Sequence, residues 1–238
     1  MVRSRKKTPV RWRTRLWRFL WRTMLLFFIL SIGLTLLFRF VPPPITGLMT
    51  ERYAEAQLSR TQKNKIYYHR LYYWMPLKKI APVMGLAVMT AEDQNFQEHF
   101  GFDWDAIAKA IAHNQKSRRI KGASTISQQT AKNLFLWSDR SWLRKGLEVY
   151  FTLLIETLWP KQRILEMYLN IIEFGPGVYG VEAASRFYFQ KPAAQLNSSE
   201  AALLAAVLPN PRLYHADNPS AYVRERQDWI LRHMKYVK

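Results

Sequence analysis

The chain contains no cysteine. Disulfides, thiol nucleophiles and cysteine-ligated metal sites are therefore excluded, while an oxidising compartment is permitted. HExxH is also missing, and no second histidine lies close to His99, so zinc has poor support. Neither GxxxxGKS/T nor GxGxxG occurs, which disfavours both common nucleotide-binding designs. No tandem repeat or long low-complexity block divides the 238 residues. Acidic side chains are lacking from the first forty residues, where Arg3, Arg5, Lys6, Lys7, Arg11, Arg13, Arg15, Arg18, Arg22 and Arg39 supply much of the formal net charge of +19.

That charge is local. From Thr23 to Phe38 nothing is charged, and Trp21, Phe40 and Val41 extend the run toward the roughly 20 apolar residues that cross a bilayer. The expected organisation is a basic cytoplasmic tail over 1–22, a transmembrane anchor over 23–41 and one domain over 45–238. The positive-inside rule puts the N-terminus in the cytoplasm and the rest on the outer face of the cytoplasmic membrane. A cleaved signal peptide or a buried core helix is the alternative, but no small-x-small site follows Phe38. Trp12, Trp17, Phe19 and Trp21 among the arginines suit a membrane interface. Nucleic acid is not expected as a partner, because the densest basic region is juxtamembrane.

Pro42, Pro43 and Pro44 interrupt any helix leaving the anchor. Beyond them, apolar periodicity predicts helices over 81–93, 103–114, 125–135, 141–158 and from Pro160 to about Ile172. A further helix over 198–208 has Asn197 and Glu200 at capping-box spacing. Strand evidence is thin, with 65–74 the best candidate, and FGPGVYG reads as a compact loop. The class is mainly α, a helical globule with a cleft.

Two polar runs stand out. EDQNFQEHFGFD, from Glu92 to Asp103, crowds four acidic side chains and His99 into one short segment. KGASTISQQTAKN, from Lys121 to Asn133, adds hydroxyls, amides and cations, and Arg144, Lys145 and Glu148 follow. Together they suit an anionic, hydroxyl-rich substrate such as a sugar phosphate. Glu92, projecting from a helix end, can accept a sugar hydroxyl proton if held partly desolvated. Asp93 suits pairing with a cation or capping of backbone donors, and His99 suits a structural hydrogen bond that fixes the acidic turn. Gly122 permits close approach, Ser124 can bind a sugar or phosphate oxygen, and Gln128 and Lys132 share a helix face. Arg144 and Glu148 can form an i,i+4 pair, with Lys145 free to neutralise a phosphate. The bland account of each run is a solvated, capped helix end.

Taken together, these runs resemble the glycosyltransferase domain that polymerises peptidoglycan, and the chain is similar to the monofunctional biosynthetic peptidoglycan transglycosylases. Glu92, Asp93, Phe96, His99, Gly101 and Asp103 match the first signature of that family. GASTISQQTAKNLF at 122–135 matches the second, and Arg144, Lys145 and Glu148 match the third. Residues 164–189 correspond to the fourth and Glu200 to Pro209 to the last. Ala123 departs from the pattern, where the family commonly has a second glycine.

The resemblance implies a lysozyme-like bilobed domain that joins lipid II units into β-1,4 glycan, with inversion and loss of undecaprenyl diphosphate. It implies Glu92 as general base and Glu148 as the donor-side carboxylate. Ser124, Gln128, Gln129, Lys132, Asn133, Arg144 and Lys145 would bind donor sugar or diphosphate. Asp93, Phe96, His99 and Gly122 would be structural. A divalent cation, magnesium, is the implied helper, with no organic cofactor. The implied partners are lipid II, the growing lipid-linked strand, the membrane, and cell-wall synthesis or division proteins. Residues beyond 213 are too few for a penicillin-binding transpeptidase domain, and the sole SxxK, Ser4 to Lys7, lies in the tail. A lysozyme-like hydrolase and a nonenzymatic membrane scaffold are the rival readings.

Overall fold

A computed structural model describes residues 10–59, 71–117, 122–139 and 141–236. It separates two compact units, Met1–Val41 and Pro42–Lys238. Among the described residues the first unit is a single helix, α1 (Val10–Phe40). It starts well before Thr23, because no proline or glycine falls between Val10 and Ile32 and arginine is itself a good helix former. Within it, Thr14–Phe40 is long and apolar enough to cross a membrane. Its 27 residues rise about 40 Å, beyond the ~30 Å hydrocarbon core, which leaves room for an interfacial turn or tilt.

In the second unit the chain runs through α2 (Gly47–Ser59), β1 (Leu71–Tyr72), α3 (Pro82–Glu92), α4 (Trp104–Lys116), α5 (Ile126–Phe135) and α6 (Trp142–Leu158). It continues through α7 (Lys161–Ile171), β2 (Glu173–Gly175), β3 (Val178–Tyr179), α8 (Val181–Phe189), α9 (Ser198–Val207) and α10 (Ala221–His233). The mainly helical class and the helices expected between residues 81 and 208 are present. Their ends are set by local chemistry. Pro82 enters at the first turn of α3, Thr125 and Gln128 close a capping box on α5, and Asn197 and Glu200 close another on α9.

Three features differ from the sequence reading. The FGPGVYG segment is a hairpin rather than a plain loop: β2 pairs antiparallel with β3, and β1 joins β3 in parallel, giving the order β1-β3-β2. Strands of two or three residues are too short for alternation to register. Of the strand expected over 65–74, residues 65–70 lie outside the described residues, and among the described ones Leu71–Tyr72 pairs. Gly180 closes the hairpin at φ +81°, where an added Cβ would sit 2.4 Å from the Asn170 carbonyl oxygen. Helices α2 and α10 were not anticipated. Helix α10 buries only Val223, Gln227 and Ile230 of its thirteen residues, a stripe too narrow to stand out among its charges.

Helix α5 packs against α2, α6 and α7, while α3 packs against α9 and α10. Tyr168, Tyr179, Phe174, Phe96, Ile126 and Ile164 are among the largest fully buried side chains. The end of α3 and the start of α5 are joined by side chains, and the candidate site is built there.

Candidate active site

Glu92 is the last residue of α3, and Asp93 caps it. The helix thus delivers one carboxylate at its rim and hands the next to the structure. Asp93 is buried; its Oδ2 accepts the Ile126 N–H of α5 at 2.9 Å, and both of its oxygens lie within 3.0 Å of His99 Nε2. A carboxylate at the N-terminus of α5 also opposes the positive end of the helix dipole. The turn between α3 and α4 is held further by Thr125 Oγ1, which donates to Gly101 O at 2.7 Å. Phe96 is fully buried beneath Lys161 Nζ, 4.6 Å from the ring centre, and the same ammonium donates to His99 O and to Glu156.

Glu92 Oε2 accepts a hydrogen bond from Gln129 Nε2 at 2.7 Å, and Gln129 Oε1 accepts one from the Tyr168 hydroxyl at 3.2 Å. Burial pushes the Glu92 carboxyl up from its ordinary value, opposed first by the Gln129 hydrogen bond and then by the charges of Arg226 and Lys132. Tyr168 is fully buried, and burial followed by the nearby Glu92 and Asp93 charges holds its hydroxyl protonated, well above the usual phenol range.

The second carboxylate, Glu148 on α6, is buried and paired with both Arg144 and Lys145. Lys132 of α5 faces the same group. Burial lowers the Lys132 ammonium pKa, Glu148 opposes that, and Arg144, Lys145 and Arg52 reinforce it. Three cations therefore surround one carboxylate, and the cluster carries a positive excess. Gln129 and Lys132 are one turn apart on α5, so this helix touches Glu92 with one residue and the Glu148 cluster with another.

The remaining expected residues divide. Ser124 and Gly122 are exposed at the entry to α5, and nothing lies within 4 Å of where a Gly122 Cβ would sit. Asn133 is buried on α5. Gln128 is buried too, and its Oε1 accepts the Thr125 N–H at 3.1 Å, so its amide oxygen serves the helix cap. Arg226 was missed by the sequence reading: its Nη2 donates to Ala91 O at 2.7 Å. Only a fold that returns α10 to the end of α3 could reveal it.

The family model described as Transglycosylase matches residues 59–235, which include all of these side chains except Arg52. The chain belongs to the transglycosylase family. Among the relatives of this transglycosylase, the biosynthetic peptidoglycan transglycosylase of Mannheimia succiniciproducens is 59% identical over 205 residues, covering 86% of this chain and 82% of the relative. The protein of the same description from Pasteurella multocida is 54% identical, with coverage of 91% and 87%. That from Salmonella arizonae is 57% identical, with coverage of 94% and 91%.

The magnesium implied by the resemblance has no ready protein cage among the described residues of this transglycosylase. Among the described residues no three His, Asp or Glu side chains converge as a metal-holding group, and both Glu148 oxygens already face cations. A divalent ion held by protein ligands alone does not fit this donor set.

Proposed function

We infer that this chain polymerises lipid II into β-1,4-linked glycan strands by inverting glycosyl transfer, releasing undecaprenyl diphosphate. The observation that carries the reading is the span of α5, which bonds Glu92 through Gln129 and adjoins the cation cluster through Lys132. One end of the site supplies a base and the other an anion cradle. Glu92 takes the proton of the acceptor 4-hydroxyl as its oxygen bonds the donor anomeric carbon, and the bond from that carbon to the diphosphate oxygen breaks. Lys132, Arg144 and Lys145 stabilise the charge that develops on the leaving diphosphate, and Glu148 keeps Arg144 and Lys145 in place. Ser124 contacts the donor from the loop before α5. Gln129, Gln128, Asn133, Asp93, Phe96 and His99 shape and hold the site. The lysozyme-like bilobed arrangement belongs to the same proposal.

Residues 1–22 form the basic cytoplasmic tail, 23–41 the anchor and 45–238 the catalytic domain on the outer face of the cytoplasmic membrane. The arginines before Thr23 and the apolar length of α1 support this orientation. An anchored enzyme shares its membrane with the polyprenyl tails of lipid II and of the growing strand. Cell-wall synthesis or division proteins are the expected protein partners.

The test follows labelled lipid II with purified full-length protein, wild type and Glu92→Gln, in detergent or vesicles. Polymer from the wild type that disappears in the variant is the expected result. Hydrolysed fragments in place of polymer would favour a hydrolase, and undiminished polymer in the variant would overturn Glu92 as the base.

A further inference from the structure

We propose that Tyr168 and Gln129 form a positioning relay in which the buried phenol fixes the orientation of the Gln129 amide, so that its NH2 group faces Glu92 and keeps that carboxylate aimed and ready to accept a proton. The proposal deepens the function above and rests on Glu92 as the base. It reassigns Gln129 from a substrate ligand to a positioning residue and gives a role to Tyr168, which the fourth signature includes without assigning it one.

The amide of Gln129 has a donor end and an acceptor end, and its neighbours choose between the two orientations. An ionised carboxylate only accepts, so the NH2 group turns to Glu92, at 2.7 Å. The carbonyl then points to Tyr168, whose hydroxyl donates across 3.2 Å. Tyr168 is fully buried on α7, which leaves its hydroxyl little choice of partner in the apolar interior. The phenol stays protonated, because burial and the nearby carboxylates disfavour its anion. A fixed donor on one side thus dictates a fixed donor on the other, through a side chain that would otherwise be free to rotate by half a turn.

The other groups facing Glu92 do not replace this arrangement. Arg226 of α10 and Lys132 of α5 favour its charge electrostatically, and Asp93 opposes it. Helix α9, packed along α3, carries only Glu200, which is engaged by the Asn197 N–H and Lys191. The closing 3-10 turn at Met234–Tyr236 carries Lys235, which lies over the Tyr236 ring. The side chain that donates a hydrogen bond to the Glu92 carboxylate is Gln129.

Without the phenol hydroxyl, the amide can turn and present its oxygen, an orientation that only a protonated Glu92 satisfies. Full-length protein carrying Tyr168→Phe, Gln129→Met, both together, or Glu92→Gln is compared with wild type. Two readouts are taken: the pH dependence of lipid II polymerisation, and the titration of the Glu92 side chain by 13C NMR, identified by its loss in Glu92→Gln. Each single variant is expected to move the Glu92 titration and the acid limb of kcat upward by about one pH unit, the scale of one hydrogen bond to a charged group. The double variant is expected to move them no further than Gln129→Met alone.

An unchanged Glu92 titration in Tyr168→Phe, or shifts that add in the double variant, would overturn the relay. The NMR readout needs no turnover, so it decides the relay even if Glu92→Gln retains polymer and the base assignment falls. Should Tyr168→Phe not fold, Gln129→Met decides the donor step: an unmoved titration there overturns the proposal as well.

Discussion

Arg226 of α10 donates a hydrogen bond from Nη2 to the carbonyl oxygen of Ala91 at 2.7 Å, one residue before Glu92. Its guanidinium also stacks over Trp229, 4.4 Å from the ring centre, so its place is fixed from both sides. The contact satisfies a carbonyl that the end of α3 would otherwise leave open and brings a permanent charge beside the base. Arg226→Ala is expected to raise the Glu92 pKa, since a charge that lowers it is removed. The acid limb of the pH–rate profile should move upward, and chemical denaturation should show a loss of about 1 kcal/mol for the hydrogen bond. A profile identical to wild type would show that Arg226 holds the helix without tuning the carboxylate.

Glu92 itself predicts an opposition between activity and stability. Burial raises its folded-state pKa above the ordinary value of 4.5. At neutral pH the ionised group therefore costs the folded state more than the unfolded chain. Glu92→Gln should lose about two to four orders of magnitude in polymerisation, the usual span for a general base. It should also melt at a higher temperature than wild type at neutral pH. That gain should shrink as pH falls through the raised folded pKa and vanish below the unfolded one, where wild-type Glu92 is protonated in both states. Thermal melts of the two proteins across this range check the sign.

Glu148→Gln should act on Lys132. Among the influences on that ammonium, burial and the cations Arg144, Lys145 and Arg52 lower the pKa, and Glu148 raises it. Removing the carboxylate charge should lower the Lys132 pKa further and move the alkaline limb of polymerisation to lower pH. Titration of the Lys132 side-chain nitrogen by 15N NMR measures this directly; a rise or no change would break the electrostatic account of the cluster.

Two glycines should respond oppositely to alanine. Gly180 sits at φ +81° with a would-be Cβ 2.4 Å from Asn170 O, a backbone contact that cannot rotate away, so Gly180→Ala should cost several kcal/mol or prevent folding. A Cβ at Gly122 meets nothing within 4 Å, so Gly122→Ala should stay within about 0.5 kcal/mol of wild type. Any loss of activity in Gly122→Ala then reports on substrate approach, and steady-state kinetics on lipid II beside a denaturation curve separates the two effects.

The sequence by itself determined the helical class, most helix boundaries between residues 81 and 208, and the residues that form the polar runs. Those follow from interactions over three or four positions: the Asn197–Glu200 capping box, the Arg144–Glu148 pair and the apolar stretch of α1 are all within one chain segment. The i,i+4 spacing also fixed that Arg144 meets Glu148. Tertiary structure alone decided which distant residues meet. Tyr168 reaches Gln129 across 39 positions, Gln129 reaches Glu92 across 37, and Arg226 reaches Ala91 across 135. It also turned FGPGVYG into a hairpin paired with Leu71–Tyr72. Local pattern encodes the energy of a turn of helix, whereas the tuning of Glu92 depends on desolvation and on charges that arrive from other elements only when the chain has packed.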